Sequence, residues 1–453
     1  MSFAAWLGRH AGLNRAISFT LLTRVWSVAS GLATVYFIGR FLTPAAQGYY
    51  YTFSSVIALQ VFVELGLTYA IVQFASHEMA SLAWRSDRTL GGAEGAKKRL
   101  KSLAVFSLVW FGGAALLMTV TLIPLGTLIM SLDSSSGPAL KDVLPPWAWL
   151  VILSSVNLLV AAMLSLLEGC GKIVEIALLR LVQSLVATVA AWLVFAAGGA
   201  LYALVAQASG MLLVGSTWLL WKYRLFFRDL FAFRSPLRGM AWGLEIWPFH
   251  WRIAVSWVSG YLIFQLFSPL LFVTHGPVAA GQMGLSLQIF GALSGLAMSW
   301  ISTQIPRYGQ MVARQEGRAL DRLFIRGLTQ SSLVLVGCLL LALAALQWLS
   351  ITGSSIVQRV LPLPLMVCMA AITLANHVIF AEAALLRAHK QEPFMVLSVL
   401  NGLATALIAV ALVPQYGLSG AVISYGLATI LIGLGGGTAV FMSKRKAWWA
   451  KDV

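Results

Sequence analysis

"FLTPAAQGYYY" runs from Phe41 to Tyr51, between two long apolar stretches. A looser version, "VTHGPVAAGQM", runs from Val273 to Met283. Both carry Pro-x-Ala-x-Gly, as Pro44, Ala46 and Gly48 and again as Pro277, Ala279 and Gly281. The prolines lie 233 positions apart, about half of a 453-residue chain. Proline starts or ends a helix and glycine permits a tight return, so each copy reads as the turn of a helical hairpin. Working outward, each hairpin is followed by a basic loop and another long apolar run. "NLLVAAMLSLLEG" (157–169) also aligns with "NHVIFAEAALLRA" (376–388), placing Asn157 on Asn376. Here the offset is 219, so the halves differ by insertions.

Composition fits this frame. The chain is 59% hydrophobic and 10% charged, against about 25% charged for a soluble domain. Such a chain cannot cover its own surface with polar groups, so bilayer is the expected solvent. The apolar runs are continuous, which favours helices of roughly 20 residues over an alternating barrel. Twelve spans are expected: 16–39, 49–75, 102–130, 147–168, 175–197, 201–221, 248–273, 280–304, 328–349, 361–386, 394–413 and 418–442. The breaks carry "SSSGP" (134–138), "PP" (145–146), "GG" (198–199) and "PQYG" (414–417). With the N-terminus in the cytoplasm, 25 Lys and Arg fall on that side and three (Arg40, Lys141, Arg359) on the other. This asymmetry is a positive-inside pattern. It makes the net charge of +16 a topology signal and an attraction to anionic membrane lipids, not a nucleic-acid surface. The first apolar run is expected to be a retained helix. Cys170, Cys338 and Cys368 show neither metal spacing nor a disulfide framework.

The expected fold is therefore an all-α integral membrane protein with both termini cytoplasmic. Its twelve transmembrane helices form two six-helix bundles, related by a pseudo-twofold along the membrane normal. The expected division is 1–221, a basic linker 222–247, and 248–453. An even number of spans per half gives a parallel repeat, an architecture suited to alternating access.

Charges inside spans need a reason, because each costs roughly 2.5–3.5 kcal/mol at mid-bilayer. Arg24 and Glu64 lie equally far from Pro44 and so reach equal depth in a straight hairpin. They are either a buried ion pair or a cavity-facing anion site. Arg252 has no acid at its mirrored position and is either an anion ligand or a snorkelling side chain. Arg180, near Glu175, reads as a snorkelling, loop-pairing side chain. Arg40 marks one end of span 1, and Arg307 the inner end of span 8. Glu382 reads as neutralised by Arg387 and Lys390. Gln60, Asn157, Gln183, Gln207, Gln288, Asn376 and other in-span polar groups read as sugar ligands or interhelical glue. Trp257 and Trp300 read as core side chains or sugar-stacking rings.

Several motifs, in this order, resemble the polysaccharide-unit flippases of the multidrug/oligosaccharidyl-lipid/polysaccharide exporter superfamily. They are "LTRVWS" (22–27), the "FLTPAAQGYY" turn, "VELGL" (63–67), "LLEGCGK" (166–172) and "YGLSGAVIS" (416–424). The resemblance implies translocation of undecaprenyl-diphosphate-linked oligosaccharides across the bacterial inner membrane. It also implies a cationic central cavity, for which Arg24, Arg252, Glu64, Arg40 and Arg307 are the candidate substrate-binding residues. No cofactor is expected; a coupling ion, H+ or Na+, is left unassigned. The expected state is a monomer, with other polysaccharide-assembly membrane proteins as further candidate partners. The rival readings are a multidrug cation antiporter of the same superfamily and a membrane glycan polymerase or ligase. The second lacks a sizeable outer loop with acid, base or metal groups.

Overall fold

The computed structural model describes residues 15–132, 138–232, 247–389 and 394–449. Helices dominate it, and the described strands form one short hairpin. The protein is a multi-pass, all-α membrane protein. Among the described residues, eight helical stretches are long and apolar enough to cross a bilayer, or nine if one bent pair counts as a span. Two of the eight, Trp257–Val312 and Phe394–Trp448, hold 56 and 55 residues, too many for one crossing at 1.5 Å per residue. Each is divided by a left-handed glycine, Gly276 (φ 82°) and Gly417 (φ 54°). Dividing them, counting the bent pair as one span and adding helix α1 (Arg15–Phe41), gives twelve segments among the described residues, six in each half of the sequence.

The chain folds as two compact units. Of the described residues, unit 1 holds those up to Ser30, Ile57–Ser131 and Pro138–Trp257; unit 2 holds Gly31–Val56 and those from Val258 onward. The first half of α1 thus belongs to unit 1. Its second half, with the first hinge and helix α2 (Pro44–Ile57), belongs to unit 2. Unit 1 is built from α3 (Leu67–Glu78), α4 (Glu94–Ser131), α5 (Leu140–Gly169), α6 (Ile173–Ala196) and α7 (Tyr202–Lys222). The strands Leu82–Trp84 and Leu90–Gly92 pair antiparallel within its basic loop. The nine-residue α8 (Arg224–Ala232) packs Phe226 and Leu230 inward, and its Asp229 bonds Lys97 at 2.8 Å.

Helix α9 (Trp247–Phe264) leads into unit 2. There follow α10 (Phe267–Ser302), α11 (Ile305–Ala313), α12 (Gly317–Ile351), α13 (Leu363–Ala388), α14 (Phe394–Leu427), a π-helical stretch Ala428–Gly436, and α15 (Gly437–Trp449). Tyr308, Phe324, Leu385 and Phe441 close a core at the Lys/Arg-rich end. Helix outer faces stay apolar: Val109, Leu116 and Val120 on α4, and Leu333, Leu340 and Leu341 on α12, are all more than 60% exposed. Lipid is the solvent that makes such exposure cheap.

Two expected helix limits are corrected. The span predicted at 49–75 is broken: Leu65 (φ 51°) and Gly66 (φ 70°) are both left-handed, and the segments on either side diverge by 42°. The break expected at "PP" is no break, because α5 starts at Leu140 and runs through Pro145 and Pro146. The carbonyls those prolines leave unbonded, of Lys141 and Asp142, lie in the first turn. "SSSGP" falls almost wholly outside the described residues, as does most of the 222–247 linker.

The two hinge copies reach their turns differently. At the first, Thr43 caps α2 by accepting the Ala46 N–H at 3.1 Å, with Pro44 as the first helical residue. At the second, the extended left-handed backbone of Gly276 (φ 82°, ψ 178°) turns the chain before Pro277, a conformation only glycine adopts without strain.

Candidate functional site

Within unit 1, helices α3, α5, α6 and α7 line an open cavity of about 570 Å³ with mixed polar and apolar walls. Glu64 and Arg180 are the charged side chains on its wall, with Gln60, Thr68, Ser154, Asn157, Gln183 and Gln207 among the polar ones. Glu64 ends the short helical turn Val61–Glu64, immediately before the left-handed pair Leu65 and Gly66. The break interrupts the backbone ladder and aims the carboxylate at the cavity, where it accepts the Thr68 hydroxyl at 2.8 Å. A bulky residue held left-handed, as Leu65 is, stores strain of the order of 1–3 kcal/mol, and this one sits beside the cavity's acid.

Arg180 donates to Glu168 at 2.6 Å, not to Glu175. The pairing is made with a different acid from the one nearest in sequence, because five residues on an α-helix turn about 140°. Glu175 faces the other way and accepts from Lys222 at 2.5 Å and Tyr223 at 3.0 Å. Arg180 was thus underread from sequence, and its i+5 spacing from Glu175 is the signal that separates them.

Asn157 donates to the carbonyls of Leu153 (3.1 Å) and Ala208 (3.0 Å), tying α5 to α7. Its sequence match Asn376 donates to the carbonyl of Ile372, also four residues back, at 3.2 Å and to the Tyr425 hydroxyl at 2.9 Å, tying α13 to α14. Gln183 donates to Met211 at 2.9 Å. The amide nitrogens of Asn157 and Gln183 are therefore engaged in holding helices.

The five sequence candidates are dispersed. Arg24 lies on α1 in unit 1 and is exposed. Trp26, two residues on, packs its ring against Trp192 of α6 at 5.9 Å, which puts Arg24 on the far side of α1 from that contact. Among the described residues no ion pair joins Arg24 to Glu64. Arg252 lies on α9, and its side chain falls outside the described residues. Arg40 occupies the last turn of α1, exposed, with its guanidinium 6.0 Å from the Phe41 ring. Arg307 is exposed on α11, just after Pro306. Glu382 is buried and accepts the Thr438 hydroxyl at 3.0 Å; Lys390, one of its two expected cations, lies outside the described residues. Trp257 and Trp300 are 47% and 46% exposed, so neither is a core side chain. No group of three metal-ligating side chains occurs among the described residues.

No protein-family model matches the chain, and no curated protein matches it significantly. Solved structures do. The inward-facing conformation of a multidrug resistance MATE family transporter of the MOP superfamily superposes with a TM-score of 0.65 at 15% identity, covering 95% of this chain and 98% of that one. The lipid II flippase MurJ, in an inward closed conformation, gives 0.59 at 12% identity, covering 92% and 85%. A MOP superfamily transporter from Pyrococcus furiosus, described as having a binding pocket of reverse polarity that suggests a different function, gives 0.56 at 16% identity over 96% of both chains. The chain therefore has the MOP superfamily transporter fold.

Proposed function

We propose that this protein moves undecaprenyl-diphosphate-linked oligosaccharide repeat units across the bacterial inner membrane by alternating access, as a non-enzymatic transporter. One observation carries the reading. Arg24 lies nine residues into α1, about 14 Å along it at 1.5 Å per residue, exposed and with no acid paired to it among the described residues. A guanidinium at that depth is costly unless water or an anion meets it, and its planar fork fits a diphosphate bidentately. Arg252, Arg40 and Arg307 are proposed as further cations on the path, and the half-exposed Trp257 and Trp300 as sugar-stacking rings. Residues 1–221 and 248–453 are proposed as the halves that rock, joined by the basic segment 222–247. The Lys/Arg-rich end with both termini is assigned to the cytoplasm. Glu64, an acid on the cavity wall, is the proposed site for a coupled H+ or Na+.

The fold is shared with a protein named as a lipid II flippase and with others named as multidrug transporters, so cargo charge must discriminate. Replacing Arg24 or Arg252 with Ala while expression is preserved is expected to abolish export and leave lipid-linked repeat units on the inner leaflet. Full complementation by both single variants would remove the proposal. Dye efflux that survives loss of both arginines would favour the cation antiporter.

A further inference from the structure

The two hinge copies, half a chain apart in sequence, touch in unit 2. A Cβ on Gly48 would lie 1.8 Å from the carbonyl oxygen of Pro277, and one on Gly281 would lie 2.9 Å from the Gly48 nitrogen. The backbones of α2 and α10 therefore cross in direct contact, with glycine required at the crossing.

Each hinge also contributes a glutamine, and both hold the same turn. Gln47 is 1% exposed. Its amide nitrogen donates to the carbonyls of Gly281 at 2.8 Å and Arg359 at 2.9 Å. Its carbonyl oxygen is 3.5 Å from the Arg359 guanidinium. Gln282 donates to the carbonyl of Gln358 at 2.8 Å. Successive carbonyls of the turn Ser355–Arg359 are thus gripped by the two hinge copies. Arg359 is half-buried and has no acidic partner among the described residues. Burial lowers its pKa from the ordinary value, the mark of a cation stripped of water without a counter-ion. It is one of three cations that the sequence places at the Lys/Arg-poor end.

We propose that the hinge crossing is a latch that masks an anion site, and that parting α2 from α10 presents Arg359, with the freed amides of Gln47 and Gln282, to a diphosphate headgroup. The latch suits release. Parting the helices also draws Tyr51 off Gly284 and Gln288, and Tyr49 off Phe272, but the glycine crossing itself carries no side chains, and the amide protons it frees are phosphate donors of the same kind they were to carbonyls. Arg359 trades one amide oxygen at 3.5 Å for a bidentate anion. The inference rests on the flippase reading and adds a receiving site at the opposite end of the path from the basic loops.

The test uses the full-length protein in detergent with farnesyl diphosphate as probe. Gly48→Ala, and separately Gln47→Leu, should unlatch the crossing and raise affinity at least tenfold over wild type. Arg359→Gln in either background should remove that gain, whereas Arg24→Gln should not. A gain that persists after Arg359→Gln, or no gain in either unlatched form, overturns the latch. Phosphatidylglycerol binding equally well in the unlatched forms overturns the assignment to a diphosphate. If neither unlatching variant folds, Arg359→Gln alone decides, through transport of lipid-linked units: a tenfold loss supports the site and unchanged transport refutes it. Failure of every form, wild type included, to bind the probe would count against the flippase reading itself. Binding that needs Arg24 and ignores Arg359 would sink the latch alone.

Discussion

Arg24→Ala separates a ligand-binding arginine from a structural one by two measurements that move in opposite senses. The side chain is exposed, on the face of α1 away from Trp192, and no ion pair joins it to Glu64. Removing an exposed group without a buried partner changes stability by no more than about 0.5 kcal/mol. Ligand affinity should respond far more. A charge-assisted hydrogen bond is worth about 1.5–3 kcal/mol, and a bidentate guanidinium–diphosphate contact makes two. The loss is then about 3–6 kcal/mol, or roughly two to four powers of ten in Kd. Arg24→Lys keeps the charge but not the fork, and should fall about halfway. The assay is equilibrium binding of a short-chain polyprenyl diphosphate to protein in nanodiscs, beside thermal unfolding of the same samples. A variant that melts several degrees lower yet binds within threefold of wild type would refute the reasoning, because Arg24 would then be a packing element.

Four further outcomes follow from the geometry. The Asp321–Arg445 pair joins α12 to α15 through two bonds from Arg445 Nε at 2.9 and 3.0 Å, with its side chains 10% and 25% exposed. Asp321→Asn or Arg445→Gln alone should cost about 2–3 kcal/mol, and the double variant less than their sum, in a thermal double-mutant cycle. Asn157→Leu and Asn376→Leu should each destabilise by about 0.6 kcal/mol, with similar shifts in melting. Burial pushes the Cys170 thiol up to about 12, so it stays protonated near neutrality and should resist alkylation until the protein unfolds. Thr89 donates its hydroxyl (2.7 Å) and N–H (2.9 Å) to Asp87, and these bonds hold that carboxyl below the usual range. Their contribution is present above the unfolded carboxylate pKa and lost as pH falls through the folded one. Exchange protection of the Thr89 amide should therefore fall in acid and hold near neutrality.

Apolar run length and Pro/Gly punctuation made the helical membrane class and most segment positions legible. The bond pattern shared by Asn157 and Asn376 matches their alignment. What stayed hidden was hidden for geometric reasons. Mirroring Arg24 and Glu64 about Pro44 assumes one straight hairpin. In the structure a 3₁₀ turn at Ala58–Gln60, with its longer rise, lies between Pro44 and Glu64. The chain from Gly31 to Val56 also belongs to unit 2, while Arg24 and Glu64 belong to unit 1. Equal sequence distance then no longer implies contact. Gly66 in "VELGL" is the visible trace of the break, but glycine alone does not announce that Leu65 is left-handed as well. The cavity escaped for another reason. Its polar side chains come from four helices, and Arg180, Gln183 and Gln207 share no run of sequence that would announce a site.

The duplication itself sorts structure from chemistry. Groups that hold helices together recur at matched positions: Pro44 with Pro277, Gly48 with Gly281, Asn157 with Asn376. Asn157 and Asn376 each donate to the carbonyl four residues back and to a neighbouring helix, and the paired hinge residues lie at matched positions although the two turns are made differently. Groups that carry charge into the membrane do not recur. Shifted by 233, Glu64 falls on Ala297, which is fully buried; shifted by 219, Arg180 falls on Val399. On the proposed flippase reading, a cargo with a headgroup at one end and a tail at the other gains nothing from a duplicated charge. Ionisable groups inside spans are costly, so a second copy without a ligand would be lost while a second joint would be kept. Glu64, like Arg24 (which shifts by 233 onto Trp257), is therefore an in-span charge that the duplication does not explain, and the charged wall that Glu64 and Arg180 give the cavity has no counterpart at the matched positions.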